Sequence, residues 1–595
     1  MKVRYKNNTL ERVLTAITFL TAVLVAATFV LLYGFDAPLM SPRMLHYIQI
    51  AAFLVFLGEK TIRFLNAFSK REFLRAFWFE VPLLAMLTVL VLGADSWLTV
   101  RDPGHVKMLA LGTYLMAQVV VKTCRACVNL AASGKNPARA LIGSFLVLII
   151  TGSGMLMLPK SYNTSQMSFV DALFTATSAT CVTGLIVKDT GTDFTLMGQI
   201  VILVLIQLGG LGIVVFGAVL ALLLRQALSV RESVAMQDLL NAQTLGRIGN
   251  IIGFIFMGTI IIEAIGALSL FSMWNGPNGS LQSVHQQWFY SIFHSISAFC
   301  NAGFCLFSNS LIDYNDRWRI YGVIAPLIIL GGLGFGVLYN IAGVALDKIK
   351  RVIKEKFWGV NLAGLGAPSA APAKMRLQTK IVLTTSLALI IVGTLGIIIL
   401  GHNPSANPIK NFTAALFQSI TARTAGFNTI DIGSMSAANK LVLIVLMFIG
   451  GSPGSTAGGI KTVTLAVVIM VAYATLHKKR DVELFKRSVR PVVVGRAITV
   501  TLLFAVVLLI SSLSLSITEK ENSFALDDIM FETASALGTV GLSTGITPSL
   551  TAAGKLIIIA TMLIGRLGPL TLLASLMFNL KPAGYDYPSE PIIVG

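Results

Sequence analysis

Four stretches of this chain place a glycine at the end of a short, semi-apolar segment, and one apolar residue follows each glycine. They are FVDALFTATSATCVTGL (Phe169–Leu185), WFYSIFHSISAFCNAGF (Trp288–Phe304), FTAALFQSITARTAGF (Phe412–Phe427) and FALDDIMFETASALGTVGL (Phe524–Leu542). None is long enough to cross a bilayer, which takes about 20 apolar residues. A helix that stops inside a membrane leaves backbone polar groups unsatisfied. Lipid allows that only where the backbone lines a water-filled path or is buried in protein. Glycine reaches backbone angles closed to other residues, so successive carbonyls can turn inward and replace the hydration shell of a cation. The chemistry these residues suit is coordination of a dehydrating cation by main-chain oxygen. The carbonyls in question are those of Thr180, Cys181, Val182, Thr183 and Gly184; of Cys300, Asn301, Ala302 and Gly303; of Arg423, Thr424, Ala425 and Gly426; and of Gly538, Thr539, Val540 and Gly541. The C-terminal ends of the four half-helices favour positive charge at the same place. Their expected N-caps include Ser168, Asn411 and Ser523.

The four loops are an internal repeat. Gly184, Gly303, Gly426 and Gly541 lie 119, 123 and 115 residues apart. Six and five positions before the glycine stand Ser178-Ala179, Ser297-Ala298 and Ser535-Ala536; the third copy departs, with Ile420-Thr421. The next helix repeats too: Gly209-Gly210-Leu211-Gly212 and Gly331-Gly332-Leu333-Gly334 are near copies, and Gly450-Gly451 and Gly565-Arg566-Leu567-Gly568 fall at similar distances. Each unit reads as helix, half-helix, glycine loop, helix. Small residues can merely let helices pack closely, but four copies at near-equal spacing in outside loops favour a pore around one axis.

The elements that must position these loops are membrane helices. The chain has 595 residues, 55% of them hydrophobic and 12% charged, with a mean hydropathy of +0.79. Soluble domains carry roughly 25% charged residues, so a soluble enzyme and a disordered chain are both excluded. Spans are expected near 13–34, 44–67, 77–94, 107–131, 139–158, 197–224, 248–273, 319–346, 377–401, 438–475, 490–517 and 553–579. The fold class is an all-α polytopic membrane protein, with four pore units preceded by four additional helices. The expected divisions are 1–137, 138–230, 231–347, 348–480 and 481–595. The formal charge of +19 falls largely in short loops, as the positive-inside rule requires. It therefore argues against nucleic-acid binding and puts both termini in the cytoplasm. Residues 363–374, rich in Ala, Gly and Pro, read as a cytoplasmic linker. The basic N-terminus with its long apolar run reads as a retained span.

Other residues carry narrower expectations. The stretch Gly450-Gly451-Ser452-Pro453-Gly454-Ser455-Thr456-Ala457-Gly458-Gly459 cannot stay helical and must lie in the pore or inside the protein. It lacks the glycine before Lys461-Thr462 that a phosphate loop needs, so no nucleotide site is expected there. Arg566 sits in the middle of the last span, where a charge costs roughly 2.5 kcal/mol or more. Glu263 reads as a paired structural acid. Arg423 reads as a strut to filter carbonyls or to an acid such as Glu532. His294 stands alone on its half-helix, which argues against metal ligation. Glu59, Lys60, Arg63, Trp78, Glu80, Lys122 and Arg125 loosely resemble a voltage-sensor bundle, but the basic residues are too few, and an auxiliary bundle is the expectation. Cys124 and Cys127 form a lone CxxC, read as packing residues.

At TATSATCVTGL, SAFCNAGF, TARTAGFNT, ETASALGTVGLSTG and GGSPGSTAGGIKT the chain resembles the Trk/Ktr/HKT superfamily of potassium transporters, over about residues 138–595. The resemblance implies a single-chain pseudo-fourfold pore with one filter strand per unit, carrying potassium as its transported ion and needing no organic cofactor. It implies that 450–459 is an intramembrane gate below the filter, with Arg566 beside it. It implies a homodimer in membrane lipid, served by a cytoplasmic nucleotide-binding regulatory subunit. In plant relatives a serine in place of the first filter glycine goes with sodium permeation; glycine at 184 favours potassium. No catalysis is expected. The alternatives are the potassium-binding subunit of a P-type pump and, in another class, a membrane-embedded transferase or hydrolase. The latter would need clustered Asp, Glu or His; Asp527-Asp528 has no histidine beside it in sequence.

Overall fold

A computed structural model describes residues 6–35, 40–76, 84, 111–112, 114–115, 118, 137–163, 167–212, 248–274, 283–358, 374–401, 407–522 and 524–576. The expected spans at 77–94 and 107–131, the CxxC, and Trp78, Glu80, Lys122 and Arg125 lie outside these residues or almost wholly so. The chain opens with α1 (Asn8–Tyr33), α2 (Pro42–Asn66) and the short α3 (Lys70–Ala76). Unit one follows as α4 (Pro137–Leu156), α5 (Phe169–Cys181) and α6 (Leu196–Leu211). Unit two is α7 (Ile248–Leu270), α8 (Val284–Phe299), α9 (Ala325–Leu333) and α10 (Phe335–Trp358). Unit three is α11 (Leu377–Leu400), α12 (Pro408–Thr421), α13 (Ala437–Phe448) and α14 (Thr462–Leu476). Unit four is α15 (Pro491–Thr518), α16 (Leu526–Gly538), α17 (Ala552–Leu567) and α18 (Pro569–Leu576). A two-residue ribbon, Glu483–Leu484 against Arg487–Ser488, joins the last two units.

The long helices are apolar over most of their surface, which in a span faces lipid. Leu502, Leu509, Leu513 and Ile517 of α15 are each more than half exposed. Two expected spans are broken instead. The stretch 319–346 bends by 104° between α9 and α10, and 553–579 breaks between α17 and α18. In both, a glycine with positive φ stands at the break: Gly334 at 87° and Gly568 at 82°. A residue with a Cβ is strained there, so each apolar run divides.

The four half-helices α5, α8, α12 and α16 are linked in succession by apolar clusters that run around the molecule. One joins Ala172 and Val182 of unit one to Phe293 and Phe304 of unit two. A second joins Ala298 and Phe299 to Phe417 and Phe427, and a third joins Ala415 and Ala422 to Phe531 and Leu542. The fourth joins Ile529 and Ala536 of unit four back to Phe174 and Leu185 of unit one. The apolar residue after each loop glycine therefore plugs a seam between neighbouring units. Three seams also carry an ion pair: Lys555–Asp171 at 2.7 Å, Lys440–Asp528 at 2.8 Å and Lys410–Asp316 at 2.7 Å. The last is exposed and contributes little. Lys555 and Asp171 are about 15% exposed, so removing one partner strands a charge. Lys555→Met should cost about 3 kcal/mol, seen as a lower unfolding temperature in detergent; an unchanged melt would refute that role for the pair.

N-capping differs from expectation at two half-helices. Ser168 caps α5 by accepting from the N–H of Asp171. Helix α12 is capped by Asn407, not Asn411, which lies within the helix; Pro408 at its first position sets an earlier start. Helix α16 starts after Ala525, not Ser523, and has no side-chain cap. Ser283 and Gln286 form a capping box on α8 that the sequence reading passed over.

Candidate ion filter and gate

The ends of α5, α8 and α16 share one construction. Val182, Asn301 and Thr539, two before the glycine, take positive φ of 58°, 58° and 50°. Their N–H groups donate to the carbonyls of Ala179, Ala298 and Ala536. The next N–H groups, of Thr183, Ala302 and Val540, donate to Ser178, Ser297 and Ser535 at 2.8, 2.7 and 2.8 Å. This is a Schellman-type ending. It turns the chain sharply out of the helix and uses the donors while leaving the acceptors free. The serine hydroxyls add a second grip. Ser178 and Ser535 accept from the N–H of Gly184 and Gly541, both at 3.1 Å, and Ser297 donates to the carbonyl of Phe304 at 2.8 Å.

Unit three is built differently. Its buried aromatic, Phe417, stands nine residues before the glycine, where Phe174, Phe293 and Phe531 stand ten before theirs. The link is thus one residue shorter. Ala425 donates to Thr421 instead, and Thr424 still takes φ of 80°. The missing Ser-Ala pair of the third copy has this structural counterpart.

The four glycines then meet. All have positive φ: 95° at Gly184, 70° at Gly303, 83° at Gly426 and 92° at Gly541. A methyl group on Gly184 would strike the carbonyl oxygen of Ala302. On Gly303 it would lie 2.8 Å from that of Ala425, and on Gly426 2.5 Å from that of Val540; on Gly541 it would strike that of Thr183. The succession returns to its start, so the four strands close into a ring in the order one, two, three, four. Among the described residues no donor is directed at the carbonyls of 180–184, 300–303, 423–426 or 538–541. The buried hydroxyls of Thr180, Thr183, Thr424 and Thr539 likewise have no hydrogen-bond partner. A ring of unclaimed oxygen is what a cation shedding water requires. The carbonyl of Thr180, the first of the expected set, packs on Gly209 of α6. Gly331 and Gly565 abut the carbonyls of Phe299 and Leu537 in the same way. The repeated glycines after the loops thus admit the ends of the half-helices at close range.

The stretch 450–459 lies against this ring. Gly458 abuts Gly538 and Thr539. The loop is held by the end of α9 and the start of α10: Ser452 N–H donates to Gly332 at 3.0 Å, Thr456 hydroxyl to Gly331 at 3.2 Å, and Phe335 N–H to Gly454 at 3.0 Å. Arg566 crosses from α17. Its guanidinium donates to the carbonyl of Thr456 in the loop and to that of Gly209 on α6. Lys461 donates to Ala457 at 2.6 Å within the loop. Gly454, Ala457, Lys461 and Arg566, with Gly209 and Phe335, line a cavity of about 230 Å³. The loop therefore packs against one side of the ring, and Arg566 fastens it to units four and one.

Three single residues find partners that the sequence could not name. Arg423 donates to the carbonyl and hydroxyl of Ser386 on α11, at 3.2 and 3.1 Å. It reaches neither Glu532 nor a filter carbonyl. Glu263 accepts from Gln207 at 3.1 Å and faces the Cys300 thiol at 3.8 Å, a paired acid behind the second strand. Arg63 pairs with Glu59 at 2.7 Å and Glu11 at 3.2 Å, which locks α1 to α2.

Comparisons with known proteins show what the chain is similar to. The sequence profile of the TrkH family, described as a cation transport protein, matches residues 126–582. The chain is 38% identical over 470 residues to the Ktr system potassium uptake protein B of Bacillus subtilis, covering 77% of this chain and 97% of that one. It is 36% identical over 469 residues to the protein of the same name from Vibrio alginolyticus, covering 78% and 96%. It is 34% identical over 468 residues to the potassium/sodium uptake protein NtpJ of Enterococcus hirae, covering 77% and 97%. The crystal structure of the potassium transporter TrkH from Vibrio parahaemolyticus superposes with a TM-score of 0.57 at 19% identity, covering 84% of this chain and 98% of that one. That likeness concerns the fold.

Proposed function

The chain belongs to the TrkH family of cation transport proteins, and from that premise we propose how it carries potassium across a membrane. It is the ion-conducting subunit of an uptake system and not an enzyme. Potassium loses its water at the carbonyls of Val182–Gly184, Asn301–Gly303, Thr424–Gly426 and Thr539–Gly541. The observation that carries this reading is the closed ring of glycines and unclaimed carbonyls. The ion then passes Arg566 and the loop 450–459, which acts as the gate. Opening consists of releasing the loop from Arg566 and from the end of α9.

The relatives are named as uptake proteins, so neither the pump-subunit nor the membrane-enzyme alternative is carried further. Their description as parts of a Ktr system supports a second component that controls the gate. In our reading it is a nucleotide-binding regulatory subunit that docks on the basic cytoplasmic segments, and the pore chain works as a homodimer. The lysines and arginines of the N-terminus and of 348–356 and 478–490 support cytoplasmic placement of both termini in the cell membrane. The test is growth and potassium uptake in cells lacking their own uptake systems, with and without candidate regulatory subunits. Rescue at micromolar to millimolar potassium is expected. Good membrane expression with no flux under any pairing would reject the reading.

A further inference from the structure

Two opposite units of the ring share a device that the other two lack. His294 and Glu532 each stand nine residues before their glycine, on α8 and α16, and each is fully buried. The Nδ1–H of His294 donates to the carbonyl of Tyr290 at 2.7 Å, which leaves Nε2 as an acceptor. Nε2 accepts from the N–H of Leu306 at 3.4 Å and faces the Cys305 thiol at 3.2 Å. Cys305 and Leu306 are the second and third residues beyond Gly303. In unit four Glu532 accepts from the hydroxyl of Ser543, from the N–H of Thr544 at 3.3 Å and from the hydroxyl of Thr547 at 3.0 Å. Ser543 and Thr544 are the second and third residues beyond Gly541. A buried acceptor on the half-helix thus holds the outer strand at the same two positions in both units.

Units one and three differ. Thr175, nine before Gly184, donates only within its own helix, to Asp171 at 2.9 Å. In the shortened unit three the matching turn carries Phe417 and Gln418, and among the described residues the Gln418 amide makes no hydrogen bond. The ring order sets units two and four across the axis from each other. Polar struts from the half-helices therefore hold the strands along one diagonal only; the unit-three strand is tied instead to unit two, where Asn428 N–H donates to the Ser310 hydroxyl at 3.2 Å.

We propose that His294 and Glu532 are positioning residues that determine specificity: by tying the strands beyond Gly303 and Gly541 to their half-helices, they fix the carbonyl spacing along that diagonal. The proposal rests on the filter reading above. Cutting a strut lets its strand shift toward the axis. A tighter cage suits sodium, which is smaller than potassium, so discrimination falls.

The experiment measures potassium uptake by the full chain in cells lacking their own systems, and the sodium concentration that halves it, at matched membrane levels. His294→Phe keeps a ring stacked between Trp274 and Phe307 but loses the acceptor. Glu532→Ala removes the other strut. Each should lower the halving sodium concentration roughly fivefold or more, the scale of one lost buried hydrogen bond. Glu532→Gln should restore most of the discrimination, because its oxygen still accepts from Ser543 and Thr544 while its amide donates to the Thr547 hydroxyl. Thr175→Val, at the same register of unit one, should leave it unchanged. Ser543→Ala, which removes one donor and leaves no buried charge alone, reads the same quantity if Glu532→Ala does not reach the membrane. If Gly184→Ser relaxes discrimination while His294→Phe, Glu532→Ala and Ser543→Ala do not, the struts have no such role and the filter reading stands. If Gly184→Ser has no effect either, both fall.

Discussion

Gly184→Ser lowers the preference of uptake for potassium over sodium by roughly tenfold or more, the equivalent of about 1.4 kcal/mol. Gly184 has φ of 95°, a conformation in which a residue with a side chain is strained by about 1–3 kcal/mol. Its new Cβ would also strike the carbonyl oxygen of Ala302, a backbone atom that cannot swing aside as a side-chain tip can. The strand of unit two must then move, and the contacts of Gly303 with Ala425 and Gly426 pass the shift around the ring. Potassium selectivity depends on how many carbonyls reach the ion and at what spacing, so it falls even though serine adds no charge. The measurement is uptake at fixed potassium with rising sodium. Unchanged competition at normal membrane levels would mean that the glycine ring does not choose the ion.

Arg566→Gln raises potassium flux in the absence of a regulatory partner by roughly tenfold or more. Arg566 fastens the loop 450–459 to α6 through the carbonyls of Thr456 and Gly209. Hydrogen bonds from a charged donor contribute roughly 1.5–3 kcal/mol each, and each 1.4 kcal/mol is a tenfold change in an equilibrium. Glutamine is too short to span both carbonyls. The loop keeps its contacts to Gly331, Gly332 and Phe335, so it loosens without unfolding. On the proposed path, which runs past Arg566, the variant also removes a positive charge, and this acts in the same direction. Flux through reconstituted protein without added partners reads the effect. A variant that is folded but stays closed, or that conducts no better than the native chain, would show that the arginine is not the latch.

How legible each feature was depends on whether its cause is local. Composition and apolar run length sufficed for the membrane class, because lipid imposes its constraint on every span separately. The fourfold repeat was legible because one backbone conformation, a helix turned out through a positive φ into a glycine, demands the same residues wherever it occurs. The non-helical loop 450–459 was legible because a run of Gly, Ser and Pro cannot be helix in any context. Even the departure of the third copy was visible, as Ile420-Thr421 where the others have Ser-Ala.

What only the tertiary structure decided are relations between units far apart in the chain. Sequence could name Arg423 and Arg566 as buried charges but not their partners, since Ser386, Thr456 and Gly209 are ordinary residues with no signature of their own. It could list four glycines but not the order in which each meets its neighbour's carbonyl, which fixes units two and four as opposite. It could see the glycines of α6, α9 and α17 but not that each receives the end of a half-helix. It placed the break at Gly334 inside a single span, because hydropathy records what lipid tolerates and not the direction in which a chain turns. Chain chemistry specified which backbone groups would be left without partners; packing specified that these groups face one another around an axis.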